Sequence, residues 1–135
     1  MGRVLAVDPG TVRVGLAISD PLRITAQPLD VIPAQGAVQH IAELCREMEV
    51  EEVVVGLPVT EKGEEGEPAR SARLLGDEIA AATGLPVTAV DERYTSRLAE
   101  TAMIDGGVRR RQRRGSVDKV AAAMILRSFL DRRSR

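Results

Sequence analysis

The sequence predicts an α/β protein: a mixed five-stranded sheet, antiparallel in its first three strands and parallel afterwards, flanked by helices. Three observations carry this. Two β-branched runs, Val4–Val7 and Val14–Ile18, flank a break at Pro9-Gly10-Thr11 and read as a hairpin. Downstream, short apolar runs alternate with segments of helical period, the signature of strands linked by right-handed crossovers. The chain has 135 residues, 44% of them hydrophobic, enough for one domain (1–135) with a proper core.

The hairpin stretch RVLAVDPGTVRVGLAISD, residues 3–20, organises the rest. Its first strand ends on Asp8, and Pro9-Gly10 then lets the backbone approach whatever that carboxylate holds. An acid at the tip of a buried strand either caps its own turn or sits beside a cation. Locally the two readings stand level. Leu22–Ile32 alternates loosely and adds a third strand, with Pro28 marking a break or edge. Gln35–Met48 is predicted helical, with Val38, Ile41, Ala42 and Cys45 on one face. Glu52–Gly56 reads as a short strand buried on both faces, followed by a polar Glu- and Gly-rich loop, Thr60–Glu67, expected to be mobile. Pro68–Thr83 forms the next helix, with Ala72, Leu75, Ile79 and Ala82 inward, Pro68 in the first turn and Gly84 at C′. Leu85–Val90 is the last strand and runs into Asp91-Glu92. Thr95–Ile104 is predicted helical and closed by Gly106-Gly107. An arginine-rich loop, Val108–Gly115, leads to a final helix, Val117–Leu130, with Ser116 as N-cap. Its predicted inward stripe is Val117, Val120, Ala121, Met124, Ile125 and Ser128, with Asp118 beside it.

The net charge of -1 hides an asymmetry: residues 1–105 carry 9 basic and 18 acidic side chains, residues 106–135 carry 10 and 2. A basic C-terminal region with apolar periodicity points to a polyanion-binding surface rather than a solvated tail. No apolar run spans a bilayer and no secretory segment is evident, so no membrane partner is expected. The single cysteine, Cys45, gives neither a disulfide framework nor metal spacing, and a reducing cytoplasm is the default expectation. Its place on a helix favours a packed hydrophobe. His40, the one histidine, sits among polar neighbours and is read as a surface residue. Ser-His-Asp and Cys-His catalysis are thereby close to excluded.

In sheets of this kind the working edge lies at the carboxyl ends of the parallel strands. Asp8 ends the first strand, Asp91-Glu92 ends the last, and Asp118 can reach the same edge from the final helix. Gathered carboxylates repel one another unless a cation joins them, and oxygen donors suit Mg²⁺ or Mn²⁺. Two such ions about 4 Å apart stabilise both oxygens of an in-line phosphodiester displacement. The run VRRRQRRG supplies Arg109, Arg110, Arg111, Arg113 and Arg114 immediately before Asp118, suited to delivering a phosphate backbone.

Four blocks, DPGTVRVGLAISD, VVVGLP, VDERYTS and VDKVAAAMIL, spread over almost the whole chain in the same order, resemble the YqgF/RuvX family of bacterial nucleases. That family belongs to the ribonuclease H-like superfamily, alongside the RuvC junction resolvases. The resemblance implies a ribonuclease H-like fold, with Asp8, an acid of the DER triplet and Asp118 as metal-binding carboxylates. Alternation puts Asp91 and Glu92 on opposite sides of their strand; Glu92 is taken first and Asp91 second. Arg13, Gly56, Pro58, Arg73, Arg93 and Thr95 match family positions, implying phosphate contacts or loop geometry, and Lys119 is counted with the phosphate contacts. Thr60-Glu61-Lys62-Gly63 departs from the Asn/Asp-Gly turn usual in relatives, although the Gly63 turn survives.

The resemblance implies a metal-dependent endonuclease acting on structured nucleic acid: a ribosomal RNA precursor, at the 5′ end of the small-subunit RNA, or branched four-way DNA. A junction resolvase needs two coordinated cuts and hence a homodimer; an RNA processor can act as a monomer. The alternatives are a nucleic-acid-binding module without turnover and an actin- or sugar-kinase-type ATPase, for which one domain is too few. With Tyr94 and Phe129 the only aromatics, recognition by shape and phosphate is expected rather than base stacking.

Overall fold

The computed structural model describes residues 2–60, 62–91 and 110–133, with side chains throughout except at 110–118. Its elements run β1 (Arg3–Asp8), β2 (Arg13–Ser19), β3 (Ala26–Pro33), α1 (Ala37–Glu47), β4 (Val50–Leu57), α2 (Glu67–Thr83), β5 (Val87–Asp91) and α3 (Arg110–Arg133). The five described strands form one sheet in the order β3-β2-β1-β4-β5. β2 pairs antiparallel with β1 and β3, whereas β1–β4 and β4–β5 are parallel. The mixed sheet is therefore the one expected. Its central strand is β1, whose Val4–Val7 are completely buried.

Strand alternation sorts the core into two layers. Leu5, Val7, Leu16, Val53 and Val55 pack with Ile41 and Cys45 of α1 and Ala72 and Ile79 of α2. Val4, Ala6, Ala17, Val54 and Val90 pack on the other face with Ala122, Ile125, Leu126 and Phe129 of α3. Burial pushes the Cys45 thiol up to about 11, so it behaves as the packed hydrophobe expected. His40 is exposed on α1, also as expected.

Several boundaries differ from expectation. The third strand starts at Ala26 rather than Leu22, because Asp20 instead closes a turn: its Oδ1 accepts the N–H groups of Ile24 and Thr25 at 2.7 and 2.8 Å. α1 starts at Ala37 behind a left-handed Gly36. In α2, Ala69 and Gly76 are buried while Ala82 is exposed, a rotation of the predicted face. In the loop expected to be mobile, hydrogen bonds tie Thr60 to Gly63 and Glu64. Gly63 N–H donates to Thr60 O at 2.8 Å, Thr60 N–H to Glu64 O at 2.9 Å and Glu64 N–H to Thr60 Oγ1 at 3.1 Å. The Thr60 hydroxyl thus closes the turn through its own side chain, the work an Asn or Asp does in the usual form. The arginine run is also not a loop: α3 is helical from Arg110, so Ser116 lies inside it rather than at its N-cap. Its buried stripe is Ala121, Ala122, Ile125, Leu126, Phe129 and Leu130, with Met124 and Ser128 at the flank. The predicted helix Thr95–Ile104 lies outside the described residues.

The direction of α3 is set at its C-terminal end. Arg133 Nη2 donates to Glu52 Oε2 at 3.0 Å, and Arg127 Nη1 donates to Ile24 O at 2.7 Å. Glu52 is level with Val4 at the amino end of the parallel strands. α3 therefore runs against β1, and its N-terminal half rises toward the carboxyl edge. That half carries Asp118.

Candidate active site

Asp8 closes β1 at the carboxyl edge, half-buried, in register with Gly15 of β2. One strand over, the β1–β4 register (Val7 opposite Val55) puts Gly56 beside it. Alternation places Asp8, Gly15 and Gly56 on the α3 face, continuing the row of Ala6, Ala17 and Val54. The carboxylate is thus bordered on both sides by residues without side chains. Asp8 itself makes an interaction within the protein.

The turn after Asp8 is fixed by sterics. A Cβ on Gly10 would lie 2.4 Å from the carbonyl oxygen of Arg13, so no other residue fits without moving backbone. Ala34 N–H donates to Val12 O at 2.9 Å and ties the turn to the end of β3. Arg13 opens β2 directly behind it, half-buried and also engaged.

The remaining predicted residues divide. Asp91 ends β5, exposed, opposite Leu57. Because Val90 packs against α3, alternation turns Asp91 to the face of α1 and α2, away from the Asp8 side. Glu92, Arg93 and Arg109 lie outside the described residues. Asp118 lies in α3 one turn before Ala121 and Ala122, on the stripe that packs on β1 and β2, and its side chain is outside the description. Fifteen helix rises separate Asp118 from Arg133, about 22 Å. From the level of Val4 up to Asp8 the strand climbs about 13 Å. The helix is therefore long enough to bring Asp118 to the height of Asp8. Arg110, Arg111, Arg113 and Arg114 occupy the turns before it, beginning about 12 Å further out. Lys119, half-buried, follows. Among the described residues, no three His, Cys, Asp or Glu side chains are gathered for a metal.

Arg73, expected to contact phosphate, holds an acid of its own chain. Its Nε and Nη2 donate to the two oxygens of Glu65 at 2.7 Å each. The guanidinium holds the Glu65 carboxyl below its usual range, and the pairing raises Arg73 in return. Gly15 is a site position beyond those named from the sequence, and its signal is a glycine inside an apolar strand run, which marks close approach by something else.

This chain matches the family model described as RuvX, Holliday junction resolvase, over residues 2–132. It is 42% identical over 134 residues to the Lactococcus lactis subsp. cremoris protein named "Putative pre-16S rRNA nuclease", covering 96% of this chain and 94% of the relative. The chain belongs to the RuvX family. Another member, from Anaeromyxobacter dehalogenans and carrying the same name, is 44% identical over 135 residues, 98% of each chain. The RuvX chain also resembles in fold the RuvC of T. thermophilus solved with a Holliday junction substrate. There the TM-score is 0.59 at 20% identity, over 98% of this chain and 96% of that one. The expected ribonuclease H-like fold is thus met, on the strand order and on that likeness.

Proposed function

We propose that this RuvX protein is a metal-dependent endonuclease that trims the small-subunit ribosomal RNA precursor, with Asp8, Glu92 and Asp118 as its acids. One observation carries the reading: Asp8 stands on the α3 face of the carboxyl edge between two glycines, and the helix bearing Asp118 rises toward that edge. The relatives named pre-16S rRNA nucleases support the substrate class. The turning of Asp91 to the opposite face favours Glu92 as the acid of that pair.

The residues fit a divalent cation. The donors are hard carboxylate oxygens, and the bare backbone at Gly15 and Gly56 leaves room for an ion that keeps several waters. When bound, Mg²⁺ or Mn²⁺ supplies Lewis-acid stabilisation of the phosphodiester and an acidified water. Asp8, on a central buried strand, is held with little freedom, which positions whatever it binds. Gly10 keeps the turn low, so that a backbone phosphate can approach. The arginines of the first turns of α3 bind the strand through its phosphates without reading sequence.

Purified protein offered a labelled precursor RNA and a four-way DNA junction, with Mg²⁺, Mn²⁺ or chelator, tests this. Asp8→Asn or Asp118→Asn should lower cutting by about three orders of magnitude, the several kcal/mol a metal contributes, with binding near normal. Equal cutting by variant and parent would sink the assignment. Preference for the junction would favour the second reading, resolution of four-way DNA, to which the family description points.

A further inference from the structure

On the far side of the β1–β2 turn from the α3 face lies a cleft of about 400 Å³. Its walls are Pro9 and Thr11 of the turn, Pro58 after β4, and Pro68, Ser71 and Leu75 of α2. Pro9 is the residue after Asp8, so the turn is a ridge one residue wide between the acid and the cleft. The volume suits a small ligand, and the lining is mainly apolar with a few polar groups at the rim, as ligand sites are.

We propose that this cleft receives one unpaired nucleoside of the substrate strand, the neighbour of the phosphate that a cation at Asp8 would hold. The inference rests on the nuclease reading and deepens it to local base recognition. A strand lying over the turn presents a phosphate on one side and the next nucleoside on the other. A concave site takes a base only after it has left its stack, so the substrate is single-stranded or unpaired at that nucleotide. Three prolines give the base rigid apolar surfaces in place of aromatic rings; Phe129 is buried under α3 and capped by Arg133, 4.9 Å from the ring centroid. The hydroxyls of Thr11 and Ser71 can donate or accept at the base edge. Glu67 accepts only, and it already takes Arg70 Nη2 at 2.6 Å, so its charge at the cleft is matched. The first turns of α1 and α2 both open on the cleft behind glycine N-caps; that of α1 carries no acid, and the acid of α2, Glu67, is paired with Arg70. The local field therefore suits a nucleotide that brings its phosphate along. The proposal adds one base contact to the recognition by shape and phosphate expected from the sequence.

The test uses the four 5′-nucleoside monophosphates, titrated without metal and followed by backbone amide NMR. Saturable shifts at Thr11, Ala37 and Ser71 are expected. Two variants, Ser71→Leu and Thr11→Leu, fill the cleft from opposite exposed walls and should lose those shifts while keeping the parental melting temperature. On RNA with an unpaired nucleotide beside the cut, each should lose about tenfold in kcat/KM, the order of one lost base contact. On the same RNA made abasic at that nucleotide, parent and variants should cut alike. Shifts elsewhere, or leucine variants that bind and cut like the parent, overturn the proposal. Nucleotide binding in the cleft by a parent that cuts nothing would keep the site and remove the nuclease reading. Cutting without binding there would do the reverse.

Discussion

At the amino edge of the sheet the charges close on one another; at the carboxyl edge, among the described residues, glycines border the acid that ends the central strand. Glu52 is buried at the amino edge and bound by Arg23 and Arg133 at 3.0 Å each, so one carboxylate joins β4 to the β2–β3 connection and to the end of α3. Arg23 adopts a left-handed backbone (φ 61°), and its Nε donates to Gly2 O at 2.8 Å. Ser19 Oγ accepts Val4 N–H at 2.8 Å beside it. At the opposite edge stand Gly10, Gly15 and Gly56 around Asp8, with the first turns of α1 and α2 opening there and α3 rising toward it. A parallel strand order forces this polarity, because crossover helices begin where strands end. The closed edge holds the fold, and the other edge carries the proposed site.

The largest effect on stability should come from the closed edge. Glu52→Gln removes the shared partner of two arginines. Breaking a buried pair from one side costs about 3–5 kcal/mol, and about 2–3 is expected here because both arginines reach solvent. Denaturant unfolding would measure it, with intrinsic cutting per folded molecule unchanged. If activity fell while stability held, the two edges would not be separate in function.

Gly10→Ala tests the carboxyl edge in the opposite sense. The added Cβ meets the Arg13 carbonyl at 2.4 Å, so the turn must shift. A loss of about 1–3 kcal/mol is expected, the usual range for backbone strain, with cutting falling further than stability explains. Activity that merely tracked the folded fraction would mean that the turn is a linker and does not shape the site.

Much of this polarity was legible before any coordinates. The hairpin, the β-branched run at Val53–Val55 and the carboxyl-end position of Asp8 follow from period and turn chemistry, which are local. Three things were not. Glu52 sat inside an apparently apolar strand, and only tertiary pairing reveals an acid bound from residues 29 and 81 positions away. The loop at 60–67 looked shapeless because the Thr60 hydroxyl performs a closure more often made by Asn or Asp. The arginine run looked like a loop because Gly115 and Ser116 favour a boundary; α3 continues through them. Helical propensity is a weak prior, and a long docked helix overrides it at two positions.

Salt dependence sharpens the comparison further. Arg110→Gln with Arg111→Gln removes two cations from the outer turns of α3. The slope of log affinity against log salt should fall by about 1.4 to 1.8, at about 0.7 to 0.9 per phosphate contact. Arg127, at the amino edge, is tied to Ile24 O and to Asp131 at 2.9 Å, so Arg127→Gln should leave the slope unchanged. Equal effects from both would place the nucleic acid along the whole of α3.

The smallest and most discriminating change concerns Arg73. Its bidentate hold on Glu65 has the shape that a phosphate would take. Both groups are exposed, so the pair adds little to stability, and Glu65→Gln should leave the melting temperature unmoved. The carboxyl's range is lowered by Arg73, so the pairing is present at neutral pH and is lost as pH falls through the lowered value. Between those limits Glu65 competes with the substrate for one guanidinium. Glu65→Gln should therefore tighten RNA binding and steepen its salt slope by up to about one contact. Lowering the pH should narrow the gap between variant and parent, because protonation neutralises Glu65 as the substitution does. Arg73→Gln made alone should weaken binding, and made together with Glu65→Gln it should erase the gain. A gain that survived the double substitution would trace to the net charge of the 60–66 turn instead of to this guanidinium.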